Sequence, residues 1–133
     1  MKKKFLIVLF FFLTMSSFAR AQQKDVIDTL SGYFKTAQAE KIAEYLPSVV
    51  ELDILGEKNS YSSAQAEIIL RDFFTKNKPA SVKIINRLSS NPNHKLTILS
   101  LQSAKDKFRI SISLSSNAER FLVAEIRIEY DKP

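Results

Sequence analysis

Between residues 81 and 130 the chain alternates apolar and polar side chains in four runs: "SVKIINRLS", "KLTILSLQS", "KFRISISLS" and "RFLVAEIRIEY". A period of two is the signature of a strand with one buried and one solvated face. The dividers "SNPNH", "AKD" and "SNAE" are turn residues, so the four strands are expected to pair as an antiparallel meander. Upstream the period changes. In "DVIDTLSGYFKT", Val26, Ile27, Leu30, Tyr33 and Phe34 fall on one helical stripe. "AEKIAEYL" repeats the pattern briefly, with Ile42, Ala43, Tyr45 and Leu46 apolar, and Pro47 ends it. "SVVELDILG" sets Val50, Leu52 and Ile54 against Val49, Glu51 and Asp53 as a further strand, and Gly56 with "EKNS" reads as a turn.

A third helix is predicted from residue 64 to about 77 in "YSSAQAEIILRDFF" and beyond. Ser62 and Gln65 have the spacing of a capping box, and Glu67 is placed near the positive end of the helix. Ala66, Ile69, Leu70, Phe73 and Phe74 form its apolar stripe. Helices first and strands afterwards predict an α+β domain with the N-terminal helices packed on one face of the sheet.

The N-terminus reads as an export leader. Lys2, Lys3 and Lys4 precede an apolar run from Phe5 to Met15, and "SSFARA" ends with Ala19 and Ala21 in a small-residue cleavage pattern. The run has eleven residues where a spanning helix takes about 20. Residues 1–21 are therefore expected to be a cleaved secretory signal peptide, with a single domain over residues 22–133 beginning at Gln22. Removing Lys2, Lys3, Lys4 and Arg20 leaves sixteen basic against fourteen acidic residues, so the formal +6 becomes +2. That balance, without clustered Arg or Lys, gives no footprint for nucleic acid and no attraction to an anionic membrane after cleavage. The chain has no cysteine, which excludes disulfides and a lipid-anchored Cys. The product is expected to be soluble, in the periplasm or secreted.

Few residue patterns carry chemistry. His94 is the only histidine and lies in the polar "NPNHK" turn, which argues against a catalytic triad; with no Cys either, no metal site is expected. Gly32 and Gly56 are the only glycines, so no Gly-rich loop can hold a phosphate and no cofactor is expected. Glu51 and Asp53 share a strand face, but the alternation turns them to water. Glu125, Arg127 and Glu129 read likewise as a surface ladder. No catalytic residue is assigned. Tyr33, Tyr45 and Tyr130 each fall on an apolar face, and Asn86 shares parity with Val82, Ile84 and Leu88. A ligand pocket lined by Tyr33, Asn86 and Tyr130 is the candidate site. Ile85, Leu99, Phe121 and Val123 are read as lying opposite the main apolar rows, and predict a homodimer through the outer sheet face.

"ELDILG", "YSSAQAEIILRDFF", "TKNKPAS" with "KII", "FRI" and the closing "EIRIEY" resemble domain-of-unknown-function family 4783, exported proteins found mainly in Bacteroidota. The likeness covers nearly all of the chain after the leader. Its strongest stretch runs from Tyr61 to Pro79 and includes Tyr61, Ser62, Gln65, Leu70, Asp72, Phe73, Phe74 and Asn77. After "KII", where the family often has His-Gln, this chain has Asn86 and Arg87. The resemblance implies a nuclear transport factor 2-like cone, a curved antiparallel sheet wrapped on helices, and implies no activity. Three functions remain open. The first is a non-enzymatic binding or accessory module, holding a small apolar ligand in the cone. The others are a cofactor-free isomerase, dehydratase or hydrolase using pocket tyrosines and a carboxylate, and a purely structural homodimer.

Overall fold

The structure is a computed structural model that describes residues 25–117 and 119–132; the leader, its cleavage site and Gln22 lie outside the described residues. Helix α1 is Val26–Lys35, started by Asp25, whose Oδ1 accepts from the Ile27 amide at 2.9 Å. It buries Ile27, Leu30 and Phe34. Helix α2, Ala39–Ala43, is shorter than the apolar pattern suggests. Beyond it the chain tightens into three-residue bonds, Tyr45 N–H to Ile42 O at 2.9 Å and Leu46 N–H to Ala43 O at 3.1 Å, before Pro47.

Strands β1 (Val49–Ile54) and β2 (Glu57–Ser62) form a hairpin. The sequence predicts a turn over 57–60, where the structure has strand β2. Its polar side chains are exposed apart from a half-buried Tyr61, because β2 is an edge strand with little core to face. Helix α3, Ser63–Lys76, follows without a linker. Ser62 ends β2 and caps α3, with its Oγ accepting from the Gln65 amide at 3.2 Å while Gln65 Oε1 accepts from the Ser62 amide at 3.1 Å. Ala66, Leu70, Phe73 and Phe74 are buried and Ile69 is half-buried. Glu67 stands past the first turn, paired with Arg71 at 2.6 Å, so the macrodipole contact expected of it is replaced by an i,i+4 ion pair.

The remaining strands are β3 (Pro79–Asn91), β4 (His94–Ser103), β5 (Lys107–Ser116) and β6 (Phe121–Tyr130). The six strands lie in the order β2-β1-β6-β5-β4-β3. All pairs are antiparallel except β1 with β6, which run parallel with Leu52 opposite Ile126 and Ile54 opposite Ile128. The inward rows carry Val50 and Leu52, Leu99 and Leu101, Phe108, Ile110 and Ile112, and Ile126 and Ile128, all fully or almost fully buried beneath the helices.

Of the four register shifts among the described residues of the sheet, the bulges at Ile84/Asn86 in β3 and opposite Ser113/Leu114 in β6 reset the side-chain parity that the sequence pattern implies. In β3, Ile84 faces Leu99 while Asn86 faces Ile98, so Ile85 is the extra residue. Beyond it Arg87 turns inward to α1, with Nη2 to Asp28 Oδ1 at 2.5 Å and Nη1 to Asp25 Oδ2 at 3.6 Å. The hydrogen bond to Asp28 raises the Arg87 pKa above its ordinary value. In β6, Ser113 faces Glu125 and Leu114 faces Val123, so Ala124 is extra and Phe121 and Val123 swing to the core side.

The expected dimer surface is corrected in its residues. Leu99 and Val123 are 0% exposed in the core, and Phe121 is half-buried against it beneath Lys95 Nζ, 4.7 Å from the ring centroid. Of the four residues only Ile85 is exposed, at 62%. Apolar residues on the outer face include Leu88 opposite Leu96, with Ile98 beside them, and Val49 on β1.

Ser62 joins strand to helix, so Ser62→Ala should lower unfolding free energy by about 1 kcal/mol in urea titration, while Ser62→Thr should keep most of it.

Candidate functional site

Strand β2 and helix α3 diverge from Ser62, and a cleft of about 560 Å³ occupies the angle between them. That volume falls within the range of small-molecule sites, about 300–1,000 Å³. Its floor is apolar. Phe73 is buried, while Ile54, Tyr61 and Ile69 are half-buried against the core.

Two further apolar side chains flank the opening. Ile68 is 62% exposed on α3, outside the helix's buried stripe, and Leu55 is 39% exposed at the tip of the β1–β2 hairpin. Leu55 and Gly56 form a two-residue turn with φ of 53° and 94°, the positive pair of a type I′ turn. Asn-Gly is the usual choice there, and a leucine in the left-handed region costs about 1–2 kcal/mol. The Leu55 amide donates to Ile128 O at 2.9 Å, which clamps the turn to β6. The hairpin thus holds a strained leucine at the cleft mouth.

The polar rim consists of Glu57, Asp72, Lys76 and Asn77. Lys76 Nζ lies 3.0 Å from Asp72 Oδ2, one helical turn back. Asn77 caps α3, its amide and its Nδ2 both donating to Phe73 O, at 2.9 and 3.2 Å. The two carboxylates stand exposed at the rim rather than inside an apolar pocket. Among the described residues, no cluster of three or more His, Cys, Asp or Glu groups could hold a metal. No described helix is long and apolar enough to cross a membrane.

The structure does not bring Tyr33, Asn86 and Tyr130 together. Tyr33 lies on α1 with its ring 6.3 Å from that of Tyr45, whose carbonyl accepts from the Val123 amide at 2.8 Å. Tyr130 is half exposed at the far end of β6, 5.2 Å from the Phe108 ring. Asn86 is exposed on the outer face because the Ile85 bulge precedes it, so its inferred parity with Ile84 fails. His94 is exposed at the start of β4, where Nδ1 meets Ser115 Oγ at 3.2 Å. Glu51 is exposed and Asp53 pairs with Arg127 at 3.5 Å, in agreement with a solvated face.

Sequence reasoning missed Leu55 and Ile68. Both left a signal: Leu-Gly where a tight hairpin favours Asn-Gly, and an isoleucine one position outside a helical stripe that is already complete.

The family model described as "Domain of unknown function (DUF4783)" matches residues 27–129. A DUF4783 family protein from Bacteroides uniformis superposes with a TM-score of 0.77 at 21% identity, over 82% of this chain and 100% of that one. Another from Bacteroides fragilis gives 0.73 at 24% identity, over 82% and 100%. An NTF-2 like protein of unknown function from Silicibacter pomeroyi gives 0.58 at 9% identity, over 79% and 89%, a likeness of fold alone. No curated protein matches the sequence.

Floor and wall separate energetically. Phe73→Ala should cost about 3–5 kcal/mol of stability in chemical denaturation, whereas Ile68→Lys should stay within about 0.5 kcal/mol of the parent.

Proposed function

The chain belongs to the DUF4783 family, a domain of unknown function, and from that premise we propose that it is an exported, non-enzymatic binding module holding a small apolar ligand. The ligand sits between α3 and the β1–β2 hairpin. The observation that carries this reading is the pair Leu55 and Ile68, two exposed apolar side chains flanking a floor of Tyr61, Ile69 and Phe73. Water gains nothing from such surface, and a ligand that covers it recovers roughly 25 cal/mol per Å² of apolar area. Tyr61, Asp72, Phe73 and Asn77, which carry the family resemblance in sequence, all line this cleft. The leader composition supports export, to the periplasm or beyond.

Native mass spectrometry of protein from its own host's envelope fraction tests the reading. The parent should carry an extra mass that is lost on denaturation, and Ile68→Lys should arrive without it. An adduct of equal occupancy on both would place the ligand elsewhere.

Self-association is a second reading, favoured by the outer strip of Leu88 and Ile85, 48% and 62% exposed, beside half-buried Leu96 and Ile98. Sedimentation at micromolar concentration should find a dimer that Leu88→Lys converts to monomer. A monomeric parent would end this reading.

A further inference from the structure

Resting on the cleft reading above, we propose that the occupant is a small amphiphile whose polar end is a protonated amine. The rim offers such a group its acceptors. Glu57 is exposed and makes no ion pair among the described residues, Asp72 keeps its second oxygen beside Lys76 Nζ at 3.0 Å, and Asn77 keeps its Oδ1. Lys76 and Asn77 also keep N–H donors, two and one respectively, and Tyr61 can serve in either role, so the sign of the rim's charge decides between polar ends.

The rim's charge is negative. Two carboxylates, Glu57 and Asp72, share the rim with one ammonium, Lys76. The cleft also takes in the last turn of α3, from Phe73 to Asn77, where the helix dipole presents its negative pole. A cationic end is attracted by both, while a carboxylate end meets two like charges and the wrong end of the helix. An apolar body completes the fit, since it lies between Leu55 and Ile68 over the aromatic floor. A primary amine suits the acceptors better than a quaternary one, because it brings three N–H donors to them.

Three probes of one chain length separate the chemistry: n-octylammonium, n-octanol and octanoate, titrated at about pH 7, where a primary alkylamine is charged. Binding is read from the backbone amide shifts of Leu55, Tyr61 and Ile68. Octylammonium should bind about threefold to tenfold more tightly than octanol, with octanoate weakest. The double variant Glu57→Gln/Asp72→Asn should abolish the preference for octylammonium over octanol, and an otherwise unchanged amide spectrum shows that the variant is folded. Equal binding of octanol and octylammonium, or tightest binding of octanoate, would overturn the amine assignment and leave the cleft reading intact. No shift at these three amides with any probe would overturn both.

Discussion

Phe73 and Phe74, adjacent on α3, set the geometry on which the rest of the molecule depends. Their rings are 5.8 Å apart and point to different layers. Phe74 meets Phe34 of α1 edge-on at 5.7 Å, and Phe73 meets Phe108 of β5 at 5.1 Å. Edge-to-face pairs of this kind add about 0.5–1.5 kcal/mol each to what burial contributes. The contact fixes the rotation of α3 about its axis. Once these two rings face the core and the sheet, Ile68, Asp72 and Lys76 must face the β1–β2 hairpin. The capping box at Ser62 fixes where α3 begins, so the cleft is set by one vertex and one rotation.

The helices and five of the six strands were legible in the sequence because their apolar spacing is strong. Parity was legible only as far as the bulges at Ile85 and Ala124. A one-residue bulge exchanges the two faces of everything beyond it, and neither Ile85 nor Ala124 announces itself by composition. Asn86, Phe121 and Val123 were misplaced for that single reason. Leu99 failed differently. Its strand is apolar on both faces, with Leu96 and Ile98 against Leu99 and Leu101, so alternation could not say which row was inside. The structure puts Thr97 inward with the leucines, where its Oγ1 donates to Asn86 O at 3.0 Å.

Strand β2 shows the complementary failure, since nothing in "EKNSYS" is patterned by burial. Its place comes from pairing with β1 through a tight turn, and its polarity suits an edge. Local side chains also occupy two of its amides: Ser60 N–H donates to Asn59 Oδ1 at 3.1 Å and Ser62 N–H to Gln65 Oε1. Fewer free donors remain for a passing strand, which is how natural sheets protect an edge from aggregation. Strand β3, the opposite edge, carries the exposed Ile85 and Leu88 among exposed Lys83, Asn86, Arg87 and Ser89.

The cone interior explains why a site must be sought at the rim. Where a curved sheet and its helices could enclose a pocket, Phe34, Phe73, Phe74 and Phe108 meet instead, each 5% exposed or less. Among the described residues the buried polar side chains are Thr97, Ser100 and Ser103, with no buried side-chain N or O atom left unpaired. Those rings pack this part of the interior, and among the described residues no buried polar side-chain atom is left awaiting a partner. Two exceptions to local rules flank the cleft. Leu55 pays in backbone strain to stand at the cleft mouth, and Ile68 stands apolar in water one step away from a full core stripe. Local inconsistency of this kind is what a sequence shows when a residue is held for a contact outside its own fold.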